Sequence, residues 1–162
     1  MNFTYDEVRD FLYREARLLD DKDWDKWLAM YARNVQYWLP AWDDDGGLTA
    51  DPQSEISLMF YQNREGLEDR VFRIRTEKST ASTPAPRTGH HLSNIEILQR
   101  DEQQCSVRFN WITLSYRYQT VQQYFGTSTY VLGREADGLR IANKKVVLKN
   151  DNIHQVIDIY HI

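Results

Sequence analysis

The sequence predicts an α+β domain in which N-terminal helices cover one face of a strongly curved sheet that is mixed but mostly antiparallel. Three observations lead to this prediction. Helical spacing of apolar residues comes first along the chain, strand-like alternation dominates after residue 35 with one helix between strands, and two strands change their apolar phase half way along. At 162 residues, the chain is expected to form a single domain, 1–162, with one core.

Two helices are predicted near the N-terminus. Thr4 and Glu7 have the spacing of a capping box, which starts a helix. The apolar stripe of this helix comprises Val8, Phe11, Leu12, Ala16 and Leu19. A second, shorter helix follows Asp21 and Asp23, either of which can cap its first turn. Its apolar face comprises Trp24, Trp27, Leu28 and Tyr31.

Two strands and an acidic loop come next. Alternation predicts strands at 35–40 and 56–61. The loop between them contains the run 43–47, three Asp followed by two Gly, which resembles the start of a calcium loop. A calcium loop of this type needs an oxygen ligand at its fifth position and Glu at its twelfth, where this chain has Gly47 and Ser54. We therefore interpret the run as a solvated turn.

The segment 64–75 is predicted to be a helix with Leu67, Val71 and Ile74 facing inward. Its outer face carries Arg64, Glu68, Arg70, Arg73 and Arg75. Two interpretations of this face remain open. It is either a solvated surface with salt bridges of small energetic value, or an arginine-rich surface that docks another chain. The Pro- and Ser/Thr-rich segment 79–89 that follows is predicted to be a loop.

The second half of the chain is predicted to form a four-stranded meander. Its strands are 89–98, 106–118, 124–132 and 139–148. The longest of them, 106–118, is the spine of the predicted sheet. Its apolar residues alternate up to Trp111, but Leu114, Tyr116 and Tyr118 then fall on the opposite face. We therefore predict a β-bulge near Ile112 to Leu114.

The last strand shows the same kind of change. Leu139 and Ile141 lie on one face of a regular strand, whereas Val146 and Leu148 would lie on the other. The chain that follows is apolar to its final residue, and helical spacing is present over 153–160. Because a chain end normally frays unless it is tied down, we expect this tail to dock, either onto the sheet or onto a neighbouring subunit.

Composition excludes several classes of protein. No apolar run approaches the length of a membrane-spanning helix, and the first ten residues do not form a signal peptide, so we expect a cytoplasmic protein with no membrane contact. The single Cys105 excludes an internal disulfide and any multi-cysteine metal site.

Residues 1–69 hold 7 Lys/Arg against 16 Asp/Glu, and the basic residues of 70–162 are not clustered, so nucleic-acid binding is not expected. The surplus of aromatic residues suggests a cavity or a partner.

The four histidines offer little sign of chemistry. His90 and His91 are adjacent in a predicted strand and therefore point to opposite faces. If His91 pointed inward toward Asp20, Asp23 or Tyr37, it could act as a general base. The alternative is a structural histidine with satisfied hydrogen bonds. His154 and His161 are two helical turns apart and would need further ligands to bind a metal.

Several stretches resemble the small (beta) subunit of ring-hydroxylating dioxygenases, and within that family the benzoate and toluate 1,2-dioxygenase branch. The resemblance runs essentially end to end. It is carried by 11–17 (FLYREAR), 37–43 (YWLPAWD), 63–74 (NREGLEDRVFRI), 93–97 (SNIEI), 107–111 (VRFNW), 144–151 (KKVVLKND) and 158–161 (DIYH).

The resemblance implies a cystatin-like, NTF2-like cone and an α3β3 hexamer with alpha subunits and sister beta subunits. It also implies that the alpha subunit holds a Rieske [2Fe-2S] cluster, a mononuclear iron and the substrate pocket, with NADH used through a separate reductase. The assembly would add both atoms of O2 to an aromatic carboxylate to give a cis-dihydrodiol. A Rieske centre needs two Cys and two His, which the single Cys105 excludes, and no spaced His/Asp motif suggests the two-His, one-carboxylate set of a mononuclear iron, so this chain should carry no iron. The resemblance further implies that this chain has no cofactor and no catalytic residue.

We accordingly expect a mainly structural subunit. Its predicted interface residues are Arg64, Arg70, Arg73, Trp111, Tyr116, Tyr160 and Ile162. Two alternatives stay open at this point. One is a stand-alone dehydratase or isomerase of the same fold that uses His91 in an open polar cavity, and the other is a small-molecule binding protein. The sequence does not determine which aromatic acid the assembly would use.

Overall fold

The computed structural model describes residues 2–76, 84–150 and 157–162. Its helices are α1 (Tyr5–Asp20), α2 (Trp24–Leu28) and α3 (Arg64–Thr76), and a final 3-10 turn covers Ile159–His161. Its strands are β1 (Tyr31–Pro40), β2 (Ser57–Tyr61), β3 (Arg87–Arg100), β4 (Gln104–Arg117), β5 (Thr120–Glu135) and β6 (Gly138–Leu148). No helix in the described ranges is long and apolar enough to cross a membrane.

The six strands form one open sheet in the order β2-β1-β6-β5-β4-β3. Neighbouring strands run antiparallel except β1 and β6, which are parallel. The core lies between the helices and one face of the sheet, here called the inner face, and the opposite face is called the outer face. This arrangement confirms the predicted α+β class with N-terminal helices and a mixed, mostly antiparallel sheet.

Both N-terminal helices form where the sequence predicts them. Thr4 caps α1, since its hydroxyl accepts a hydrogen bond from the Glu7 backbone N–H at 3.2 Å. The predicted apolar stripe of α1 is buried against the sheet. The apolar face of α2 ends at Leu28, because Tyr31 already belongs to β1, where its ring packs edge-on against Trp27. Helix α3 also buries Leu67 and Val71 as predicted.

The phase change noted for the last predicted strand corresponds to a β-bulge in β6. Val131 of β5 pairs with Asn143, and the next residue, Leu132, pairs with Ile141, so Ala142 is the extra residue. Beyond it, Lys144, Val146 and Leu148 all point into the core together with Leu139 and Ile141. The extra residue therefore lets one strand keep its apolar side chains on one face.

The β-bulge predicted for β4 near Ile112 to Leu114 is wrong. Strand β4 pairs with β5 in unbroken register from Gln104 to Arg117. Its buried residues keep a strict period of two, and Thr113 and Ser115 continue the inner face after Trp111. The irregularities lie instead in the neighbouring edge strand β3, between Ser93 and Glu96 and between Ile97 and Gln99.

The C-terminal tail docks onto this chain itself. Ile159, Tyr160 and Ile162 are buried, and Asp158 caps the 3-10 turn by accepting a hydrogen bond from the Ile159 N–H at 2.8 Å. The Arg70 side chain of α3 forms a salt bridge with the Asp158 carboxylate. Residues 153–156 of the segment 153–160, for which helical spacing was noted, lie outside the described residues.

Candidate functional site

A buried polar network occupies the centre of the inner face. Glu15 of α1 accepts hydrogen bonds from the Tyr31 and Tyr130 hydroxyls at 2.8 and 2.9 Å and from Lys144 Nζ at 3.0 Å. The Lys144 ammonium also lies within 6.0 Å of three tyrosine ring centroids, those of Tyr31, Tyr37 and Tyr130. Burial lowers the pKa of Lys144, while the Glu15 carboxylate opposes that shift. Burial likewise raises the pKa of Tyr31 and Tyr130, so both phenols stay protonated.

This network and its aromatic neighbours fill the space in which a stand-alone enzyme or a small-molecule binding protein would need an open cavity. Trp27, Tyr31 and Tyr37 are fully buried and pack in series at edge-on and tilted angles, with ring centroids 4.8 and 6.2 Å apart. Phe109 packs edge-on against Tyr130 at 5.0 Å from the other side. The centre of the inner face is therefore packed as a core, which disfavours a stand-alone enzyme or binding protein that uses it.

The histidine that faces inward is His90, so His91 does not take the inward position that the general-base alternative requires. Because β3 is an edge strand, the backbone N–H of His90 points away from β4 and donates to Asp20 at 3.0 Å. The His90 ring contacts the same carboxylate, with Nδ1 2.5 Å from Oδ1, whereas His91 is exposed. Burial would raise the pKa of Asp20, but hydrogen bonds from His90 and Thr88 hold it below its usual value. His90 therefore ties β3 to the end of α1.

His161 has a comparable structural position in the tail. Its Nδ1 accepts a hydrogen bond from the Asp158 N–H at 3.0 Å, and its ring lies 4.6 Å from the ring centroids of both Tyr124 and Tyr160. Burial lowers the pKa of His161 to about 4, so it is neutral near pH 7. The tail thus covers the inner face beside Tyr124.

The predicted interface arginines of α3 divide into two groups. Arg64 pairs with Glu68 and donates to the Tyr31 carbonyl, and Arg70 is held by Asp158. Both are therefore occupied by contacts within the chain. Arg73 is exposed, and none of the ion pairs in the described residues involves it. Arg73 is the arginine of this set that is most accessible to a partner.

The other predicted interface residues also divide by location. Trp111, Tyr160 and Ile162 lie in the core, and Trp111 is only 3% exposed. Any effect of these three on assembly would act through the packing of this chain. Tyr116, in contrast, lies on the outer face and is 41% exposed.

Tyr116 belongs to a larger apolar surface on the outer face of the sheet. The outer-face patch consists of Ile112, Leu114, Tyr116, Tyr118, Val121 and Phe125, all exposed. Its members lie next to one another across β4 and β5, since Ile112 pairs with Phe125 and Tyr116 with Val121. The outer face of an antiparallel sheet is usually polar, and a contiguous apolar patch marks an interaction surface. In the sequence, this surface is indicated by the apolar phase change in 106–118, which we interpreted as a β-bulge.

The fold places the chain in a known structural class. It resembles an NTF2-like protein with a cystatin-like fold from Novosphingobium aromaticivorans, with a TM-score of 0.64 at 11% identity over 91% of this chain and 82% of that one. This likeness concerns the fold alone. It confirms the NTF2-like, cystatin-like architecture that the resemblance implied.

Sequence comparison then identifies the family. Residues 14–155 match the family described as ring hydroxylating beta subunit, and the chain belongs to that family. It is 56% identical over the full length of both chains to the toluate 1,2-dioxygenase subunit beta of Pseudomonas putida. It also superposes on the beta subunit of the benzoate 1,2-dioxygenase from Burkholderia mallei, with a TM-score of 0.84, 50% identity and coverage of 99% and 98% of the two chains.

Proposed function

We propose that this chain is the small, mainly structural subunit of the terminal oxygenase of a cytoplasmic benzoate or toluate 1,2-dioxygenase-like system. In this proposal it assembles with an iron-carrying alpha subunit and with sister copies as an α3β3 hexamer. The assembly adds O2 to an aromatic carboxylate to give a cis-dihydrodiol, with electrons from NADH supplied through a separate reductase. The names of the relatives support the class of substrate.

The observation that carries this proposal is the uncovered outer face. Helices α1, α2 and α3 all pack on the inner face, while the outer-face patch exposes six large apolar side chains. Leaving that surface in water is unfavourable, and a partner that covers it gains roughly 25 cal/mol for each Å² of apolar area buried. A subunit of an assembly accounts for this surface better than a protein that acts alone.

The inner face supports a role without chemistry on this chain. Its centre is occupied by the Glu15–Lys144 pair and by aromatic rings, and its histidines are engaged with Asp20 and Asp158. The described residues contain no group of three or more His, Cys, Asp or Glu side chains placed to hold a metal. A Rieske cluster does not fit this sequence in any case, because Cys105 is the sole cysteine and two are required.

Co-expression with the large-subunit gene tests the proposal. We expect the two chains to purify together, native mass spectrometry to give equal numbers of each, and iron analysis of the separated chains to place the iron on the large one. A large subunit that is stable and fully active alone would contradict the proposal, as would a small chain that stays monomeric in the mixture.

A further inference from the structure

Three buried polar atoms on the inner face have no hydrogen-bond partner among the described residues. They are Nε2 of His90 on β3, and Nε1 of Trp111 and Oγ1 of Thr113 on β4. Only 4% of the His90 side chain is exposed, and Trp111 and Thr113 are buried as well. A buried polar group that stays unpaired destabilises the fold, because it has given up its hydrogen bonds to water. Three such groups would remove a large part of the small net stability of a domain, so they require a partner.

Strand pairing places these three groups close together. His90 lies directly opposite Thr113 in the β3–β4 ladder, and Trp111 precedes Thr113 by two residues on β4. Residues directly opposite each other share a face of the sheet, with Cβ atoms roughly 5 Å apart, and residues two apart along a strand share that face too. The three side chains therefore point into one part of the inner face.

The sizes of the neighbouring side chains leave space above Thr113. This short residue lies between two rings, because its cross-strand neighbour on β5 is Tyr124. The Tyr124 hydroxyl is already engaged, since it donates to the Gln122 side chain at 2.9 Å. From above, the His161 ring of the tail packs on the Tyr124 ring with centroids 4.6 Å apart. We call this space the Thr113 chamber, with Thr113 as its floor, His90 and Tyr124 as its walls and His161 as its cover.

The hydrogen-bonding character of the three groups defines the ligand. The Trp111 indole can only donate, whereas the Thr113 hydroxyl can donate and accept. The Asp20 carboxylate, which can only accept, lies 2.5 Å from Nδ1 of His90. Nδ1 therefore carries the proton, and Nε2 of the neutral His90 ring is an acceptor. A suitable ligand must offer an acceptor and a donor on a very small molecule, as water does.

We propose that the Thr113 chamber binds ordered water, which accepts a hydrogen bond from the Trp111 indole, donates one to His90 Nε2 and shares a third with the Thr113 hydroxyl. Buried waters in proteins make about three hydrogen bonds of this kind to groups that would otherwise be unpaired. The bound water joins β3 to β4 beneath the tail. Because the site lies within one chain, it does not depend on the proposed function.

Magnetic relaxation dispersion of the water signal tests the proposal, because its amplitude reports long-lived buried water in the full-length chain. Thr113→Val keeps the shape of the side chain and removes the hydroxyl, so we expect the amplitude to fall. Thr113→Ser keeps the hydroxyl and should retain the amplitude. Thr129→Val makes the same change on the outer face of β5 and is the matched control, which should also retain it.

The stability of Thr113→Val gives a second measurement whose sign is decisive. If the hydroxyl binds water, its loss should raise the equilibrium constant for unfolding, measured in urea, about three- to tenfold. If the hydroxyl is unpaired, the same substitution removes an unpaired polar group from the core, and the constant should fall instead.

A crystal structure of the unchanged chain should show a solvent peak about 3 Å from Thr113 Oγ1 and from Trp111 Nε1. Three results would overturn the proposal: no solvent peak in the chamber, an unchanged relaxation amplitude in Thr113→Val, or an unfolding constant for that variant that falls or stays the same. Co-purification with the large subunit is a separate measurement. Its failure would contradict the proposed function and leave this inference standing.

Discussion

Strands β4 and β6 both show a change of apolar face in the sequence, but the structure accommodates this change differently in the two strands. In both, the apolar residues change face half way along. In β6 the chain inserts Ala142, and the residues after it return to the core. In β4 no residue is inserted, so Ile112, Leu114 and Tyr116 stay on the outer face.

The difference teaches that an apolar phase change has two possible outcomes. Apolar side chains are buried either by the core of their own chain, which requires a bulge, or by a partner, which does not. In β4 the inner face is completed by Thr113 and Ser115, which are buried although they are polar. A strand whose inner positions turn polar while its outer positions turn apolar is therefore a sign of an interface.

Deletion of Ala142 should have the largest effect on this comparison. Without the extra residue, Lys144, Val146 and Leu148 would turn to the outer face, because a shift of one residue exchanges the two faces of a strand. We expect the cooperative urea unfolding transition, followed by circular dichroism, to disappear. Deletion of Ala85, an exposed loop residue, is the matched control and should leave the transition intact. A deletion variant of Ala142 with an unchanged midpoint would show that the bulge does not set the register.

Removal of the charge that pairs with Lys144 should have the next largest effect. Lys144 is the first residue that the bulge returns to the core, and Glu15→Ala would leave its ammonium buried without a counter-ion. We expect the free energy of unfolding, measured in urea, to fall by about 3–5 kcal/mol.

The paired replacement separates two explanations of that loss. A double variant with Glu15→Leu and Lys144→Met removes both charges and keeps the volume, so it should recover most of the lost stability. If the double variant were as unstable as Glu15→Ala, the loss would come from the hydrogen bonds to Tyr31 and Tyr130 rather than from the unpaired charge.

Most of the fold follows from local patterns in the sequence. The sequence predicted the Thr4 cap of α1, the apolar stripe of that helix, the meander of β3 to β6 and the phase change in β6, because each depends on residues close together along the chain. The contacts of Glu15 with Lys144 and of Arg70 with Asp158 were not predictable, since 129 and 88 residues separate the partners.

The candidate site was only partly predictable for the same reason. Tyr116, predicted as an interface residue, lies exposed on the outer face, but the face of His90 depends on how β3 meets Asp20, which no local pattern specifies. The outer-face patch was visible as an apolar phase change. Sequence alone could not distinguish a bulge from an exposed face, because that choice depends on whether the polar inner positions Thr113 and Ser115 are covered. In the structure both are buried, and the final 3-10 turn packs against β4.

A titration of His161 tests how the C-terminal tail covers the inner face of the sheet. Its pKa is lowered to about 4 from an ordinary value of 6.5, so the folded state binds fewer protons than the unfolded state between these values. The stability from the neutral ring is therefore fully present above pH 6.5 and is lost as the pH falls toward 4, by about 3 kcal/mol in total.

Urea unfolding at several pH values between 6.5 and 4.5 measures this loss. In this range Glu7 and Asp20, whose pKa values are lowered below their usual acidic ones, contribute little change. His161→Asn keeps a hydrogen-bond acceptor for the Asp158 N–H but cannot titrate, so its stability should be nearly constant over the same range. If the free energy of unfolding changed equally with pH in the unchanged chain and in the variant, the titrating group would be a residue other than His161.

Two alanine substitutions three residues apart in β4 compare the two faces of that strand directly, and the second of them, at Leu114, has the smallest expected effect. Trp111 points to the inner face and is buried, so Trp111→Ala should lower the free energy of unfolding by about 3–5 kcal/mol. Leu114 points to the outer face and is 37% exposed, so Leu114→Ala should cost less than about 1 kcal/mol in the dilute chain. The same Leu114 change should weaken assembly of the oxygenase, because it removes apolar area from the centre of the outer-face patch. If Leu114→Ala destabilised the dilute chain as much as Trp111→Ala does, the outer face would be part of the core, and β4 and β6 would not differ in the way described above.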